Sequence, residues 1–332
     1  MEFEESEVLS ESLISFLEKT ELGTNGARYT HLDVRERVKK LDFPHSFTLK
    51  RNQTIVANVT FCFRDFSMYV RYFAFNTIYQ STSKTKRKRS SKSIFEIKIL
   101  ELFQKLERQR KLPFYAYIEA DNSRSMSMSK RFGFIPYTHI ISRSFSRLSP
   151  KLNKNVSFSS NWSEISNLVR DQYDQYDSYF EAPISQPPFV VLRDNEGCIL
   201  AYARFTKVAW RIHRLPGFFG GVLVKIIPYL PLLRGLIKPK KHLFLTPDIV
   251  SGISNAEQLQ DLFSGALALY DVKSMIWFID PNDPVYKSVK RGFSWGVLDR
   301  IIGIKKINIM QRNAIRPYSA KHPFFVSAFD LI

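Results

Sequence analysis

Two cysteines in 332 residues, Cys62 and Cys198, lie far apart and each in an apolar run, which excludes a disulfide framework and a CxxC metal cluster. The six histidines (His31, His45, His139, His213, His242, His322) show neither HxxxH nor HxH spacing, so no metal site is expected. A GxSxG nucleophile elbow and a GxxxxGK[ST] phosphate loop are both missing. Zinc hydrolases, serine hydrolases and P-loop nucleotidases therefore have no support. Missing too is the basic-then-apolar order of a secretory signal, since MEFEESEVLSESLISFLEKT is acidic, and the expected location is the cytoplasm.

What is present is apolar and basic. Hydrophobic residues make up 44%, with 28 Phe and 15 Tyr, which excludes a disordered chain and favours strands. The net charge of +18 is uneven: residues 1–22 hold seven acids and one lysine, leaving 48 basic and 24 acidic side chains elsewhere (49 − 1 and 31 − 7). Such a surface attracts anions, whether nucleic acid, anionic lipid or a phosphate-rich cofactor.

Length predicts two domains of about 150 residues each. Helical spacing appears at Leu9, Leu13 and Phe16–Leu17, and again from His31 to Leu41 after a Gly/Asn-rich break. SFTLKR, TIVANVTFCFRDF and MYVRYFAFNTI then predict three antiparallel strands. The basic STSKTKRKRSSKS leads into a helix, SIFEIKILELFQKLERQRK, with Phe95, Ile99, Leu100, Phe103 and Leu106 on one face and a Glu101–Lys105 pair. FYAYIEA and THIISRSFSRL follow as strands around DNSRSMSMSKRFGF.

A linker composition at 148–158 precedes a second round in the same order. It comprises a helix at Trp162–Tyr179, a hairpin in FVVLRDNEGCILAYARFT, a strand in HLFLTPDIV, a helix at Ala256–Tyr270, a strand in SMIWFID, and PNDPVYKSVKRGFSWG. An offset of 160 superposes Asn122 on Asn282 and Lys130-Arg131 on Lys290-Arg291, which suggests a duplicated module with an apolar insertion at 209–241. Within that insertion Gly217–Ile237 approaches a membrane-spanning length, but Lys225, Pro228, Pro231 and Arg234 interrupt it. Packing on its own domain, covering a hydrophobic channel and lying in a bilayer interface are the three readings, the last making the chain membrane-peripheral.

Lys84, Lys86, Arg87, Lys88, Arg89 and Lys92 precede a helix start, where unpaired N–H groups and the helix dipole favour an anion, and Ser90, Ser91 and Ser93 add hydroxyl donors. Pyrophosphate suits such a site. A solvated charged loop and a nucleic-acid contact are the alternatives, the latter without interleaved aromatics.

The order helix, three antiparallel strands, basic loop, helix, strand, and then N-x-x-S-x-x-x-x-K-x-x-G-F resembles the GNAT family of acyl-CoA N-acyltransferases. Asn122, Ser125, Met128, Lys130 or Arg131, Gly133 and Phe134 carry the likeness. The family's phosphate loop, Q/R-x-x-G-x-G/A, falls on Lys88, Arg89, Ser90, Ser91, Lys92 and Ser93, with serine at both glycine positions.

The resemblance implies an α+β fold of two tandem GNAT-like domains, 1–150 and 151–332, each a mixed, mostly antiparallel sheet flanked by helices. It implies acetyl-CoA or another acyl-CoA as cofactor and an amine as acceptor. The pantetheine arm would lie between splayed strands, Tyr69–Asn76 and Phe114–Ala120. Lys88, Arg89, Ser91, Lys92, Ser93, Phe75, Asn122 and Ser125 are the implied cofactor contacts. Ser129 falls where the family often has a tyrosine acid, and Glu119 or Asp121 is the implied base. The resemblance is clearest over 46–142, and the second half, with Gly252 at its phosphate-loop position, reads as a degenerate copy. A fold kept for binding alone, and a basic binder of nucleic acid or anionic membrane, are the rival functions.

Overall fold

The computed structural model describes residues 1–23, 26–64, 67–76, 94–180, 185–217, 219–313 and 322–331. The chain divides into two compact units, one of Met1–Thr24, Tyr29–Tyr137 and Asn308–Tyr318, the other of Asn25–Arg28, Thr138–Ile307 and Ser319–Ile332. Two strands thus leave the half of the sequence in which they begin.

The first half of the chain runs β1 (Glu2–Ser6), α1 (Glu11–Glu18), β2 (Arg28–His31), α2 (Val34–Val38), β3 (His45–Arg51), β4 (Thr54–Arg64), β5 (Ser67–Phe75), α3 (Ile94–Arg110), β6 (Phe114–Glu119), α4 (Ser123–Arg131) and β7 (Ile135–Ser146). Strands β1, β3, β4 and β5 form an antiparallel succession, and β6 joins β5 in parallel. The helical reading of the first forty residues is corrected at both ends. EFEES is an edge strand paired with β3, Glu2 opposite Lys50, and the second piece helps to form β2 before the five-residue α2. An edge strand with almost no buried side chain has no apolar alternation to read.

Helix α3 buries Ile99, Leu102, Phe103 and Leu106 on one face of this sheet, against Phe61, Phe114 and Phe134. The Phe103 ring meets Phe114 edge-on with centroids 5.0 Å apart, and Phe61 at 5.2 Å. Helices α1 and α2 cover the other face with Leu13, Ile14, Leu17 and Val34 against Ile55, Tyr72 and Ala74. The expected Glu101–Lys105 pair does not form as such: Glu101 pairs with Lys98 at 2.6 Å, and Lys105 reaches Glu5 at 2.9 Å.

The second half runs β8 (Val156–Ser159), α5 (Trp162–Tyr173), β9 (Phe189–Arg193), β10 (Ile199–Arg214), α6 (Gly220–Ile226), α7 (Pro231–Leu236), β11 (His242–Ser251), α8 (Ala256–Leu269), β12 (Ser274–Ile279), α9 (Pro284–Val289), α10 (Val297–Ile302), β13 (Lys305–Arg312) and α11 (Ala328–Leu331). Its sheet order is β8-β9-β10-β11-β12-β7, with β11 and β12 parallel and β12 antiparallel to β7 from Ser274↔Ser146 to Ile279↔Ile141. Residues 308–312 of β13 lie beside β6 in the first unit, where Gln311 Nε2 donates to Tyr115 Oη at 2.9 Å. The strand in KKINIMQR lies outside the expectations from sequence.

Strict alternation lets β9 and β10 serve two cores. Val190, Leu192, Ala201, Ala203 and Phe205 face α8, while Phe189, Val191 and Tyr202 face α5. Each unit is therefore a mixed, mostly antiparallel sheet flanked by helices, as the resemblance implies. Cys62 is buried, whereas Cys198 is exposed in the β9–β10 turn rather than inside an apolar run.

Candidate functional site

The two units share one departure from regular pairing. In the first, Thr60 stands opposite Tyr72 and Phe61 opposite Val70, leaving Arg71 as an extra residue in β5. In the second, Arg204 stands opposite Ile249 and Phe205 opposite Pro247, leaving Asp248 as the extra residue in β11. Such a bulge reverses the alternation beyond it. Val70 and Phe73 consequently face the α3 core although three residues apart, and Leu245 and Val250 face the α8 core although five apart.

Beyond each bulge the parallel partner strand has parted. The β5–β6 ladder holds only Met68↔Phe114 and Tyr69↔Tyr115, and Met68 N donates to Pro113 O at 2.8 Å at its base. The β11–β12 ladder holds only Leu245↔Met275. In both units the two strands run on past the ladder without pairing to each other, a splay. That is the geometry expected of Tyr69–Asn76 and Phe114–Ala120.

In the second unit the chain's own C-terminal segment reaches both strands of the splay. Phe324 N donates to Asp280 Oδ2 just past the end of β12 at 2.9 Å, and Phe329 N to Asp248 Oδ1 in the β11 bulge at 3.4 Å. Ala328 packs beside Phe244, with Ile276 and Phe278 against them. The Asp248 carboxylate also accepts from Thr206 Oγ1 at 3.0 Å, Ser327 Oγ at 3.2 Å and the guanidinium of Arg204. A buried carboxylate with this many donors is a structural tie.

On the α1–α2 side of the first unit a cluster of polar side chains surrounds Arg71. His31 is 3.8 Å from Asp33, and Asp33 pairs with Arg37 at 2.9 Å. Burial pushes His31 down to about 4, so it is neutral at physiological pH. Burial works to raise Asp33, but the neighbouring His31 and the Arg37 guanidinium together hold it at about 2. Burial, and then the Glu119 carboxylate, raise the Tyr29 phenol, with Arg71 and Arg37 opposing. Glu119 therefore shares one electrostatic environment with Tyr29, Arg37 and Arg71.

Glu119 is the half-buried last residue of β6, and Asp121 is exposed in the turn after it. Asn122 caps α4, its Oδ1 accepting from Ser125 N at 3.0 Å. Ser129 is buried and its hydroxyl donates to Met126 O at 3.0 Å, a bond internal to the helix. Phe75 ends β5 with its ring 5.1 Å from Phe73 and 5.5 Å from Phe95. Lys88, Arg89, Ser91, Lys92 and Ser93 lie outside the described residues, in the stretch joining β5 to α3. The fold thus brings Glu119 and Phe75 to the ends of the splayed strands, with Asn122 and Ser125 in the first turn beyond β6.

Gly133 closes α4 at φ +81°, with Phe134 N donating to Ser129 O at 3.0 Å. A Cβ there would come within 2.9 Å of Arg312 Nη1, and Arg312 itself pairs with Glu107 at 2.6 Å. The Gly-Phe pair of the motif is thus a helix stop. In the second unit the equivalent cap is Asp283, accepting from Tyr286 N at 2.9 Å, rather than Asn282. Pro284 at the first helical position moves the helix start by one residue, so the offset between caps is 161.

Burial raises the Asp283 carboxyl to about 6, while its bonds from the Tyr286 and Val285 amides and the Tyr176 hydroxyl oppose the rise. A folded-state value above the unfolded one of about 4 stabilises the fold fully at low pH, and the contribution is lost as pH rises through 6. The expected result is that Asp283→Asn removes this slope, making the variant's stability relative to the parent better at pH 8 than at pH 4. Urea midpoints at the two pH values test it, and an unchanged difference contradicts it.

No protein-family model matches the sequence, and neither does any curated protein. Solved structures do match. N-myristoyltransferase of Saccharomyces cerevisiae with bound myristoyl-CoA superposes with a TM-score of 0.55 at 9% identity, covering 95% of this chain and 83% of that one. A tandem GNAT protein from the clavulanic acid biosynthesis pathway gives a TM-score of 0.53 at 9% identity, covering 95% of this chain and all of the other. The likeness is one of fold.

Proposed function

We propose that this GNAT-fold chain is an acyl-CoA-dependent N-acyltransferase whose site is the splay of the first unit. The observation that carries the proposal is the β5–β6 ladder that stops after Tyr69↔Tyr115, next to the Arg71 bulge. Past that point the β6-facing edge of β5 can accept an extended, amide-bearing ligand by strand addition. The sequence leads from that strand directly into the basic residues 84–92. In the second unit the C-terminal segment bonds to the β11 bulge and to Asp280 just past β12, which supports assigning the cofactor to the first. The structure of the yeast N-myristoyltransferase, which holds a long-chain acyl-CoA, is consistent with donors beyond acetyl-CoA.

A bound acyl-CoA supplies a thioester carbonyl open to attack by an amine. Glu119 accepts the proton that the acceptor's ammonium must lose, directly or through water, from its place at the end of β6. Lys88, Arg89, Ser91, Lys92 and Ser93 hold the pyrophosphate, and Phe75 packs beside the arm. Asn122 and Ser125 build the first turn of α4, through which they set the position of the strand end. Ser129 is given no part in the transfer, its hydroxyl donating to Met126 O inside α4.

Glu119→Gln is expected to lower amine acylation by about 10² to 10⁴, the usual worth of a positioned base, while acyl-CoA affinity stays unchanged. Calorimetry and a free-thiol assay read the two quantities separately. A rate equal to the parent's excludes Glu119 as the base. The bonded Ser129 hydroxyl also favours a second reading, a fold kept for binding: acyl-CoA bound with no transfer to any of a broad set of amines would establish it.

A further inference from the structure

Helices α6 and α7, joined by the 3-10 turn Ile227–Tyr229, form an apolar ledge between β10 and β11. One face is accounted for: Ile227, Leu236 and Ile237 are buried against Ile212, Leu215 and Leu298. The opposite face lies open to solvent. Phe219, Val222, Ile226, Tyr229 and Leu232 are 70%, 55%, 43%, 83% and 61% exposed. Val222 and Ile226 share one face of α6, and the exposed run continues through Tyr229 in the turn to Leu232 in α7. Packing on its own domain therefore accounts for most of the insertion's apolar residues but leaves these five open to solvent.

Charge identifies what can cover these five. Residues 209–241 carry Arg211, Arg214, Lys225, Arg234, Lys238, Lys240 and Lys241 and no acidic side chain. None of these seven has a carboxylate partner among the described residues, although ion pairs tie many other basic groups of the chain. Among the described residues no helix is long and apolar enough to cross a membrane, and Pro228 and Pro231 break this one into two short pieces.

We infer that this face docks on the surface of an anionic lipid bilayer, with Phe219, Val222, Ile226, Tyr229 and Leu232 entering the headgroup boundary and the basic residues meeting lipid phosphates and carboxylates. An apolar stripe with cationic borders has the two parts such binding needs, insertion of apolar area and attraction to negative charge. A soluble acidic protein would satisfy the cations but not the stripe, and a second copy of this strongly basic chain would satisfy the stripe but not the cations.

The test is flotation of the full chain with vesicles of phosphatidylcholine plus about one-third phosphatidylserine, against phosphatidylcholine alone. Preferential flotation with the anionic vesicles is expected. It should drop at least tenfold both for Phe219→Ser/Tyr229→Ser/Leu232→Ser and for Lys225→Glu/Arg234→Glu. In the conservative variant Tyr229→Trp, the added indole fluorescence is expected to be quenched by brominated lipid, a readout that does not depend on a disruptive substitution.

Failure to float with either vesicle overturns the inference, as does undiminished flotation of the apolar triple variant, which would leave charge alone at work. Indole fluorescence of the Tyr229→Trp variant that brominated lipid leaves unquenched overturns it as well. So does a concentration-dependent dimer of the parent chain that the triple variant abolishes. None of these readouts involves acyl-CoA, so failure here leaves the proposed transferase activity standing.

Discussion

Reversing Lys88 and Arg89 together (Lys88→Glu with Arg89→Glu) is expected to weaken acyl-CoA binding by about two orders of magnitude. Strand β5 ends at Phe75 and α3 begins at Ile94, so the basic run of residues 84–92 links the open-edged strand to the helix packed on its core. A hydrogen bond to a charged group contributes about 1.5–3 kcal/mol, and losing two at the lower figure amounts to roughly 3 kcal/mol. At about 1.4 kcal/mol per decade that is about a hundredfold, before the repulsion between carboxylate and phosphate is added. Serine at 91 and 93, where a glycine would let the backbone approach more closely, makes the side-chain cations matter more here. Calorimetric titration of parent and variant is the measurement. Equal affinity would remove this stretch from the site.

The second large effect is on stability. Phe114 is fully buried at the base of the splay, opposite Met68 and within ring contact of Phe61 at 5.6 Å and Phe103 at 5.0 Å. Phe114→Ala removes a ring that two neighbouring aromatics cannot follow inward, and the cost expected for such a cavity is about 3–5 kcal/mol. Tyr229→Ala, on the exposed ledge, is expected to change stability by less than about 0.5 kcal/mol. Urea titration of each variant, reading the first unit's transition for Phe114, gives the comparison. A Phe114→Ala loss near that of Tyr229→Ala would mean that the aromatic cluster does not hold the two strands together. Because the same ring sets where β5 and β6 part, acyl-CoA affinity should fall with it.

How far the sequence announces this architecture depends on how each element earns its stability. Strands β3 to β6 and helix α3 are legible because they bury aromatic and branched side chains at regular intervals, and the physics that packs them is the pattern one reads. Strand β1 buries almost nothing, its order coming from the ladder with β3 and from Glu5 reaching Lys105 and His45. Composition there carries no signal. The bulge at Arg71 is hidden for the opposite reason. Both faces of β5 are apolar, with Met68, Val70 and Phe73 on one and Tyr72 and Ala74 on the other, so the reversal of alternation leaves no polar residue out of place.

The site divides along the same line. Asn122 and Gly133-Phe134 stand out in sequence because caps and left-handed stops require particular residue types, yet their visible work is to begin and end α4. The cluster of His31, Asp33, Arg37, Arg71 and Glu119 is drawn from three separate segments of chain, 31–37, β5 and the end of β6. Nothing in local spacing brings those segments together. Likewise the exchange of Thr138–Ser146 and Asn308–Arg312 between units is a matter of topology that neither strand's composition records.

The measurement that bears most directly on the central claim is calorimetric titration of the purified full chain with acetyl-CoA and then with a long-chain acyl-CoA such as myristoyl-CoA. The account predicts micromolar binding of at least one thioester at a single site, weakened by Lys88→Glu with Arg89→Glu and retained in Glu119→Gln. No heat of binding with either thioester, from protein shown to be folded, would contradict it.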